Sequence, residues 1–296
     1  MKTFDIHSPE QEIEHPLLQE KEVRVFVKRD DKIHPFISGN KWRKLKYVIR
    51  EAREQEKKKL VTFGGAWSNH LLATAAAAAY FNFQSYGFVR GEKVENPVLA
   101  LCKLFGMHLH FVSREEYRQK ELLYNKTFGE DSEALYIAEG GYGKKAVLGC
   151  AEIIDELTGD YDALFCAAGT GATAAGLAQG ILNHHKKTKL HVIPVLKGDF
   201  IPSEIENLEV STKEIHFHGE YHFGGYAKTQ PSLLHFVKEF TSHTGILIEP
   251  IYTGKSFYAA FDQIQKDKFP RGSQILLLHT GGLTGILGMY DKFSKI

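Results

Sequence analysis

Apolar residues follow two spacings along the chain, and these predict a regular succession of strands and helices. Across residues 41–56 an apolar residue returns every three or four positions, which predicts an amphipathic helix. Residues 162–168 are continuously apolar, as expected of a strand buried on both faces. Strands are predicted at 22–28, 59–63, 84–90, 108–112, 135–138, 162–168, 190–196, 214–218, 246–248 and 274–279. Helices are predicted at 41–56, 71–80, 96–105, 114–123, 144–157, 174–183, 232–243, 255–265 and 285–293.

This succession of strands and helices predicts an α/β fold with mainly parallel sheets. A chain of 296 residues has the length of about two domains. Because the sequence contains no Pro/Gly/Ser-rich linker, we expect the domains to be interleaved rather than joined by a tether. The predicted arrangement is two three-layer α/β domains, a small one of residues 47–156 and a large one that combines residues 1–46 with 157–296.

Charge and composition indicate a small-molecule partner or a second copy of the chain. The 37 basic and 36 acidic residues leave a formal net charge of +1, which favours neither nucleic acid nor a membrane surface. The N-terminal residues lack the apolar core of a signal peptide, and no apolar run approaches the length of a bilayer span. We therefore expect a cytoplasmic protein. Cys102, Cys150 and Cys166 are odd in number without a CxxC spacing, so buried thiols are predicted rather than disulfides or a zinc site.

A glycine-rich loop, residues 169–173, lies between a predicted buried strand and a helix. Its backbone N–H groups and the hydroxyls of Thr170 and Thr173 could cradle a phosphate at the helix N-terminus. Gly169, Gly171 and Ala174 also fit the G-x-G-x-x-G/A pattern of dinucleotide sites. That pattern expects an acidic residue at the end of the next strand, where a lysine precedes Asp199. A nicotinamide dinucleotide and a smaller phosphate compound both remain candidates.

Lys41 begins a predicted helix directly after the turn Ser38-Gly39-Asn40. The positive end of the helix dipole disfavours an ammonium there, so Lys41 is a candidate nucleophile for a covalent bond to a carbonyl cofactor. Arg43 and Lys44 belong to the same basic run, and the alternative interpretation is a solvated surface.

Further polar residues follow predicted strands. Ser68, Asn69 and His70 lie between a strand and an alanine-rich helix, a place where ligands gather in α/β sheets. Thr280 follows the last predicted strand, and Tyr226 and Tyr252 lie in predicted loops. Each tyrosine taken alone is more typical of a half-buried packing residue than of an acid or base.

Three histidines, His216, His218 and His222, have a spacing that a metal site could use. His216 and His218 also alternate as one face of a predicted strand. We therefore predict no metal site.

Five motifs taken together resemble those of one enzyme family. They are Ser38-Gly39-Asn40-Lys41-x-Arg43-Lys44, Gly64-Gly65-x-x-Ser68-Asn69-His70, the loop Gly169–Thr173, Tyr252-x-Gly254-Lys255 and His279-Thr280-Gly281-Gly282. From about residue 20 to the C-terminus the chain resembles the D-cysteine desulfhydrase and 1-aminocyclopropane-1-carboxylate deaminase family. The resemblance implies a pyridoxal-phosphate-dependent enzyme of the tryptophan-synthase-β fold type, also called fold type II.

The resemblance implies a role for each cofactor-binding residue. Lys41 would bind pyridoxal 5'-phosphate covalently and would act as a base once the substrate displaces it. Asn69 would hydrogen-bond the phenolic oxygen of the pyridoxal ring, and Thr280 would face its pyridine nitrogen. The residues implied to hold the phosphate are Gly169, Thr170, Gly171, Ala172 and Thr173.

The resemblance also implies how a small amino-acid substrate is bound, and it suggests a homodimer. Ser68 would bind the substrate carboxylate at the N-terminus of the alanine-rich helix, where an anion is favoured. Tyr226 and Tyr252 would flank the substrate as proton-transfer or positioning groups. The implied substrate contacts are Trp67, Ser68, Asn69 and His70. The implied catalytic residues are Lys41, Ser68, Tyr226 and Tyr252.

Two departures from the family pattern bear on the reaction. The ring-opening deaminases have a glutamate directly after the tyrosine of the Tyr-x-Gly-Lys motif, whereas this chain has Thr253. We therefore expect α,β-elimination, with D-cysteine as the reference substrate and release of ammonia and a 2-oxo acid. The pair Ala66-Trp67 replaces a more polar pair and adds bulk near the substrate. The alternatives are a 1-aminocyclopropane-1-carboxylate deaminase, a nicotinamide-dependent oxidoreductase and a non-catalytic pyridoxal-phosphate-binding protein.

Overall fold

Two sheets organise the chain in the computed structural model, which describes residues 6–294. The strands are β1 (Glu10–Ile13), β2 (Arg24–Lys28), β3 (Lys59–Gly65), β4 (Gln84–Arg90), β5 (Met107–Val112), β6 (Ala134–Tyr136), β7 (Ala163–Ala168), β8 (Lys189–Pro194), β9 (Ile215–Phe217) and β10 (Gln274–Leu278). The helices are α1 (Pro16–Lys21), α2 (Asn40–Glu54), α3 (Asn69–Phe81), α4 (Pro97–Leu104), α5 (Lys120–Phe128), α6 (Lys144–Asp155), α7 (Ala172–Asn183), α8 (Ile201–Glu206), α9 (Pro231–Thr244), α10 (Thr253–Gln265) and α11 (Tyr290–Phe293). No helix within residues 6–294 is long and apolar enough to cross a membrane.

The larger sheet has six strands in the order β1-β2-β10-β7-β8-β9, and only β1 runs antiparallel to its neighbour. Alternate residues of β10 enter different cores. Leu276 and Leu278 pack in the core cluster that includes α6 and α7, and Ile275 and Leu277 pack in the one that includes α9 and α10. Both faces of the sheet are therefore covered by helices, which explains the continuously apolar strands.

The smaller sheet has four parallel strands in the order β5-β4-β3-β6. The alanine-rich α3 follows β3 and packs on two sides. Ala73 and Ala77 lie in a core cluster with α2, whereas Leu71 and Ala75 lie in one with α4. A helix that is apolar all round is expected to be buried on most of its surface. The predicted α/β class with mainly parallel sheets is thus confirmed in both sheets.

Three predicted segments differ from the structure, and one segment without a prediction forms regular elements. Residues 246–248, predicted as a strand, form an extended segment outside both sheets, although Ile246 and Ile248 are buried in the core. Residues 10–21, which lack a clear pattern, form β1 and α1. The helix predicted at 114–123 is a 3-10 turn followed by α5, and that at 285–293 is the 3-10 segment Leu283–Gly288 followed by α11. The three cysteines are buried and unpaired, as predicted.

The predicted domain limits lie close to two helices. Helix α2 continues across the limit at residue 46, and residues of α6, such as Cys150 and Ile153, pack in a core of the six-stranded sheet. The division into residues 47–156 and the rest stays a prediction.

Candidate active site

A cavity of about 470 Å³ lies at the carboxyl ends of parallel strands from both sheets. Its walls come from residues that end or follow β3, β4, β7 and β10. In parallel sheets the ligand-binding loops gather at this edge. The sequence-predicted site residues that line it are Lys41, Trp67, Ser68, Asn69, His70, Gly169, Thr170, Gly171, Thr173, Tyr226, Tyr252 and Thr280. Ala172 is fully buried as the first residue of α7 and does not line the cavity.

The turn before α2 is held by two other loops. Gly39 has a φ of +56°, and a Cβ there would lie 1.9 Å from the carbonyl oxygen of Thr280. The backbone N–H of Asn40 donates to this carbonyl over 3.3 Å, and its side-chain amide donates to Thr173 Oγ1 over 3.0 Å. Glycine alone combines this backbone conformation with so close an approach. Lys41, the next residue, is thereby fixed between the loops that follow β7 and β10.

The Lys41 side chain favours the neutral amine. Burial, and after it the charge of Lys44, lower the pKa of Lys41 from 10.5 to about 7. Within residues 6–294, no carboxylate forms an ion pair with Lys41 and no acceptor takes a hydrogen bond from its Nζ. A neutral amine with a free lone pair can act as a nucleophile or a base.

The other members of the basic run are buried. Arg43 is 0% exposed, and its guanidinium pairs with Asp30 over 2.8 Å and with both carboxylate oxygens of Glu156. Lys44 is also buried and donates to the carbonyl of Gly140 over 3.3 Å, and burial lowers its pKa. The alternative interpretation of this run as a solvated surface is therefore wrong. Removing one partner of such a buried ion pair costs about 3–5 kcal/mol, so the Arg43 cluster anchors the first turns of α2.

Ser68 and Asn69 place the N-terminus of α3 at the cavity. Ser68 Oγ accepts a hydrogen bond from the N–H of Leu71 over 3.3 Å and so caps the helix. Asn69 Oδ1 accepts one from Thr284 Oγ1 over 2.9 Å. A Cβ on Gly282 would lie 2.5 Å from Asn69 Nδ2, so the loop after β10 lies against this helix start. The positive end of the α3 dipole is thus available to an anion in the cavity.

His70 presents a hydrogen-bond acceptor without a protein partner. The hydroxyl of Thr62 donates to the carbonyl of Ile137 over 3.0 Å, so it accepts from His70 Nε2 over 2.8 Å. The proton of the neutral ring therefore lies on Nε2, and the buried Nδ1 has no partner within the described residues. Burial, and the charges of Lys41 and Lys44 after it, hold the pKa of His70 well below 6.5.

Trp67 forms part of the rim of the cavity and is 38% exposed. Its ring lies against Gly288, where a Cβ would come within 3.0 Å of the indole. The contact holds the Trp67 loop against the 3-10 segment Leu283–Gly288.

The glycine-rich loop offers hydrogen-bond donors that a ligand in the cavity could use. Gly171 has a φ of +81° and precedes α7, whose N-terminus has no side-chain cap. Thr170 Oγ1 is buried and lacks a hydrogen-bond partner within the described residues. An uncapped helix N-terminus with an unpaired hydroxyl beside it is suited to a phosphate group.

The rings of Tyr226 and Tyr252 lie next to each other in the wall of the cavity. Their ring centroids are 6.0 Å apart at 69°, and the two phenols influence each other's pKa. The ring of Tyr252 also lies 3.1 Å from the position of a Cβ on Gly169. Burial, with Tyr226 and Glu249 adding to it, raises the pKa of Tyr252 well above 10, so its phenol is neutral and able to donate a proton.

Comparison with known proteins decides the family. A family profile described as pyridoxal-phosphate dependent enzyme matches residues 11–281. The chain belongs to the pyridoxal-phosphate dependent enzymes. A bifunctional D-cysteine desulfhydrase/1-aminocyclopropane-1-carboxylate deaminase of Arabidopsis thaliana is 33% identical over 92% of this chain and 75% of its own. A putative 1-aminocyclopropane-1-carboxylate deaminase of Thermotoga maritima is 31% identical over 88% and 89%.

The fold agrees with this family. The crystal structure of a 1-aminocyclopropane-1-carboxylate deaminase homologue matches with a TM-score of 0.88 and 26% identity, covering 100% of this chain and 95% of its own. The predicted fold type II, the family and the pyridoxal 5'-phosphate cofactor are thus confirmed.

The residues of the cavity fit pyridoxal phosphate on structural grounds. The free N-terminus of α7 and the unpaired hydroxyl of Thr170 match the acceptor oxygens of a phosphate group. The neutral amine of Lys41 matches the cofactor's aldehyde carbon. Asn69 and Thr280 line the cavity with these groups and offer polar partners to a ring between them.

Glu249 is a functional-site residue that the sequence did not reveal. Its carboxylate is 1% exposed and accepts hydrogen bonds from the N–H groups of Ile251, Tyr252 and Thr253 over 2.7–2.8 Å. The hydroxyl of Thr253 bonds the same carboxylate over 3.1 Å and does not reach the cavity. Glu249 therefore fixes the backbone that carries Tyr252. A carboxylate a few residues before a predicted helix is the signal that could have identified it.

Lys255 of the Tyr-x-Gly-Lys motif holds a neighbouring loop in place. It is 0% exposed, and its Nζ donates to the carbonyls of His222 and Gly225 over 2.8 Å and of Val195 over 3.3 Å. Gly225 directly precedes Tyr226. One turn of α10 thus positions both tyrosines, Tyr252 through the backbone and Tyr226 through Lys255.

Asn40, Lys44, Arg90 and Glu139 also line the cavity and were missed by the sequence reasoning. Sequence signals existed for three of them. Lys44 lies three residues after Lys41 and so shares its helix face. Arg90 ends the predicted strand 84–90, and Glu139 begins a glycine-rich loop, so both lie where ligand-binding residues gather.

Proposed function

We propose that this chain catalyses α,β-elimination from a small amino acid that carries a leaving group on its β-carbon, with D-cysteine as the reference substrate. D-cysteine and one water would give hydrogen sulfide, ammonia and pyruvate. The observation that carries the proposal concerns the acids of the cavity. Among the described residues that line it, Glu139 is the single carboxylate, and it pairs with Lys120 over 3.1 Å. Thr280, which would face the pyridine nitrogen, offers a hydroxyl there and no acid that would enforce protonation of the nitrogen.

Bound pyridoxal phosphate supplies an electron-withdrawing ring that makes the Cα–H of the substrate acidic. The amine of Lys41 removes this proton, which its lowered pKa of about 7 permits near neutral pH. As the Cα–H electron pair forms the new double bond, the Cβ–S bond breaks. The phenol of Tyr252, neutral because of its raised pKa, donates a proton to the departing sulfur directly or through Tyr226.

The remaining residues position the reactants. Ser68 and the N-terminus of α3 bind the substrate carboxylate, since an anion is favoured there. Thr170, Thr173 and the first N–H groups of α7 hold the cofactor phosphate, and Asn69 donates to the phenolic oxygen of the ring. These roles are supported by the positions of the side chains around one cavity.

Substrate size is limited by the walls near Ser68. Trp67 occupies the rim, and His70 offers a neutral acceptor, Nδ1, to a donor on the substrate. Both features favour a short, unbranched amino acid with a polar β-substituent.

The second candidate is the ring-opening deamination for which the relatives from Arabidopsis thaliana and Thermotoga maritima are named. The facing hydroxyls of Tyr226 and Tyr252 favour it, because ring opening also needs proton transfer to a substrate carbon.

The two reactions are separated by their products. The holoenzyme is incubated with D-cysteine, L-cysteine, D-serine and 1-aminocyclopropane-1-carboxylate, and the 2-oxo acid and sulfide are assayed. We expect equal amounts of sulfide and pyruvate from D-cysteine and no 2-oxobutanoate from the cyclopropane substrate. The opposite pattern would select the deaminase. Bound cofactor with no product from any substrate would select a non-catalytic binding protein.

Two broader expectations also belong to this proposal. We propose that the enzyme acts in the cytoplasm and, following the sequence resemblance, that it forms a homodimer. Light scattering of the purified holoenzyme gives the mass, and the mass of a single chain, 33.4 kDa, would contradict the dimer.

A further inference from the structure

A second cavity, of about 640 Å³, lies at the amino ends of β7, β8 and β10. Asp162, Lys189 and Ser273, which precede or begin these strands, all line it. The candidate active site occupies the opposite, carboxyl edge of the same sheet. We call the second space the amino-edge cavity. Among residues 6–294, none lines both cavities.

A row of aromatic rings crosses the sheet beside this cavity. Phe165, His191 and His216 are paired neighbours on β7, β8 and β9. The ring of His191 stacks on Phe165 with centroids 4.5 Å apart and on His216 with centroids 5.0 Å apart. His218 lies two residues further on the same face, with its ring 5.1 Å from that of His191. His222 is not part of the row and instead accepts from a backbone N–H at its own turn, that of residue 224.

The hydrogen bonds of the row run in one direction, from Gln263 through His218 to His191. Gln263 Nε2 lies 3.2 Å from His218 Nδ1 and 3.5 Å from His218 Nε2, and the shorter contact assigns the acceptor role to Nδ1 and the proton of the neutral ring to Nε2. That Nε2 donates to His191 Nδ1 over 2.9 Å, so the proton of neutral His191 also lies on Nε2. Burial, with the neighbouring His218 and His216 adding to it, lowers the pKa of His191 to about 3 and keeps the ring neutral.

The last donor of this row has no acceptor. His191 is 8% exposed and lines the cavity, and within the described residues its Nε2 has no hydrogen-bond partner. Leaving a buried donor unpaired costs about 1–3 kcal/mol. An acceptor placed in the amino-edge cavity would remove this cost.

The charges around the cavity favour an anion. Lys187, Lys189 and Lys268 line it, and none of them forms an ion pair within residues 6–294. Lys266 also lines it but pairs with Asp262 over 2.6 Å. Two carboxylates oppose them. Asp162 accepts from the backbone N–H of residue 274 over 2.8 Å, and Glu220 lies 3.7 Å from His218.

We propose that the amino-edge cavity binds a small metabolite through a phosphate or carboxylate group, which accepts the proton of His191 Nε2 and is surrounded by Lys187, Lys189 and Lys268. A metal ion does not suit the site, because the positive charges of Lys187, Lys189 and Lys268 would repel it. The proposal is independent of the reaction at Lys41.

Binding is measured by calorimetry on the holoenzyme at constant ionic strength, with inorganic phosphate and citrate as separate probes. Cofactor in the active site keeps the phosphate cradle at α7 occupied. We expect at least one probe to bind, and the better probe identifies the anionic group. Failure of both probes to bind overturns the proposal.

Variants locate the site. His191→Phe keeps the ring stacking and removes the donor, and the double variant Lys189→Gln/Lys268→Gln removes two charges without touching the core. Each is expected to weaken binding about tenfold or more, whereas Lys103→Gln, on α4 of the other sheet, leaves it unchanged. Ser68→Ala, at the active-site anion position, also leaves it unchanged. Unaltered binding in the double lysine variant, or its loss in Ser68→Ala, overturns the proposal.

A measurement on the unmodified chain tests the same contact and does not depend on whether His191→Phe folds. The ring nitrogens of His191 are followed by ¹⁵N NMR as the bound probe is titrated. The Nε2 resonance is expected to shift with saturation of the site, and a resonance that does not move contradicts direct contact.

Discussion

The starts of α2 and α10 each carry a buried lysine, and the two lysines differ in what surrounds the amine. The pKa of Lys41 is lowered to about 7 and that of Lys255 to about 8, in both cases mainly by burial. Lys255 donates to three backbone carbonyls, whereas Lys41 has no acceptor for its Nζ within the described residues. A lowered pKa therefore does not by itself mark a reactive lysine. The absence of a protein acceptor marks a reactive lysine, because only an amine without such an acceptor is free to bond a ligand.

The largest effect is expected from Lys41→Ala. Removing the amine removes both the covalent bond to the cofactor and the proposed base, so turnover should fall by about 10³-fold or more. Borohydride reduction followed by mass mapping should find pyridoxal on Lys41 of the unmodified enzyme and on no residue of the variant. Lys103→Ala, an exposed lysine on α4, is the control and should keep both cofactor and activity. Labelling of Lys44 or Lys255 instead would refute the contrast drawn above.

Gly39→Ala tests how the turn fixes Lys41. The new Cβ would overlap the Thr280 carbonyl, since that atom lies 1.9 Å away. We expect the free energy of unfolding to fall by about 3 kcal/mol or more and cofactor binding to weaken. Gly106→Ala is the matched control, because Gly106 has a φ of +82° with nothing within 4 Å of the added atom. It should lose only about 1 kcal/mol in urea unfolding, and equal losses in the two variants would contradict the role of the close approach.

Lys255→Met should give a smaller, structural effect. It leaves three buried carbonyls without their donor and should lower the free energy of unfolding by about 1–3 kcal/mol. Because the loop before Tyr226 loses its anchor, kcat should fall while the cofactor absorbance at Lys41 persists. Lys266→Met, directly after the same helix, exposed and paired with Asp262, should leave the free energy of unfolding nearly unchanged. Loss of cofactor in Lys255→Met would show that this lysine acts at the cofactor rather than through Tyr226.

The smallest effect is a shift in pH dependence. Only the neutral amine of Lys41 attacks the cofactor, so the rate of pyridoxal phosphate addition to cofactor-free protein should rise with pH and reach half its maximum near pH 7. The charge of Lys44 contributes to the lowered pKa, so Lys44→Met should move this midpoint upward. A midpoint near 10 in both proteins would mean that Lys41 is not buried in the cofactor-free state.

The sequence predicted those parts of the fold in which local pattern and tertiary environment agree. Strand β4 was predicted at its observed bounds, because its apolar residues are bounded by polar ones at both ends. Residues 246–248 were predicted wrongly as a strand. Two buried isoleucines there satisfy a strand pattern, but the carbonyl of Leu247 accepts from the ring of His279 and the segment pairs with no strand. Strand β1 was missed because, as an edge strand rich in Glu and Gln, it carries little apolar signal.

The candidate site was predictable where glycine turns and strand ends mark it, as for Gly39, Ser68 and Thr170. The role of Lys255 was not recognised, because it depends on carbonyls far away in the sequence, such as that of Gly225. Glu249 was missed although the N–H groups that it binds belong to the next few residues. The amino-edge cavity was missed because its residues are also distant from one another in the sequence. His191 and His216 lie on neighbouring strands, and no local spacing connects them.

The order of strands in the larger sheet has a consequence for synthesis of the chain. Strand β10, residues 274–278, lies between β2 and β7, so these two strands are joined within the sheet only by a segment that is synthesised after both of them. The loop that follows it supplies Thr280, against which the Gly39 turn closes. Since domains emerge from the ribosome N-terminal end first, Lys41 is exposed on a nascent chain well before its pocket can form. The pocket around Lys41 is therefore complete only after residues 274–280 have been synthesised, and a chain truncated before β10 lacks the Thr280 loop against which the Gly39 turn closes.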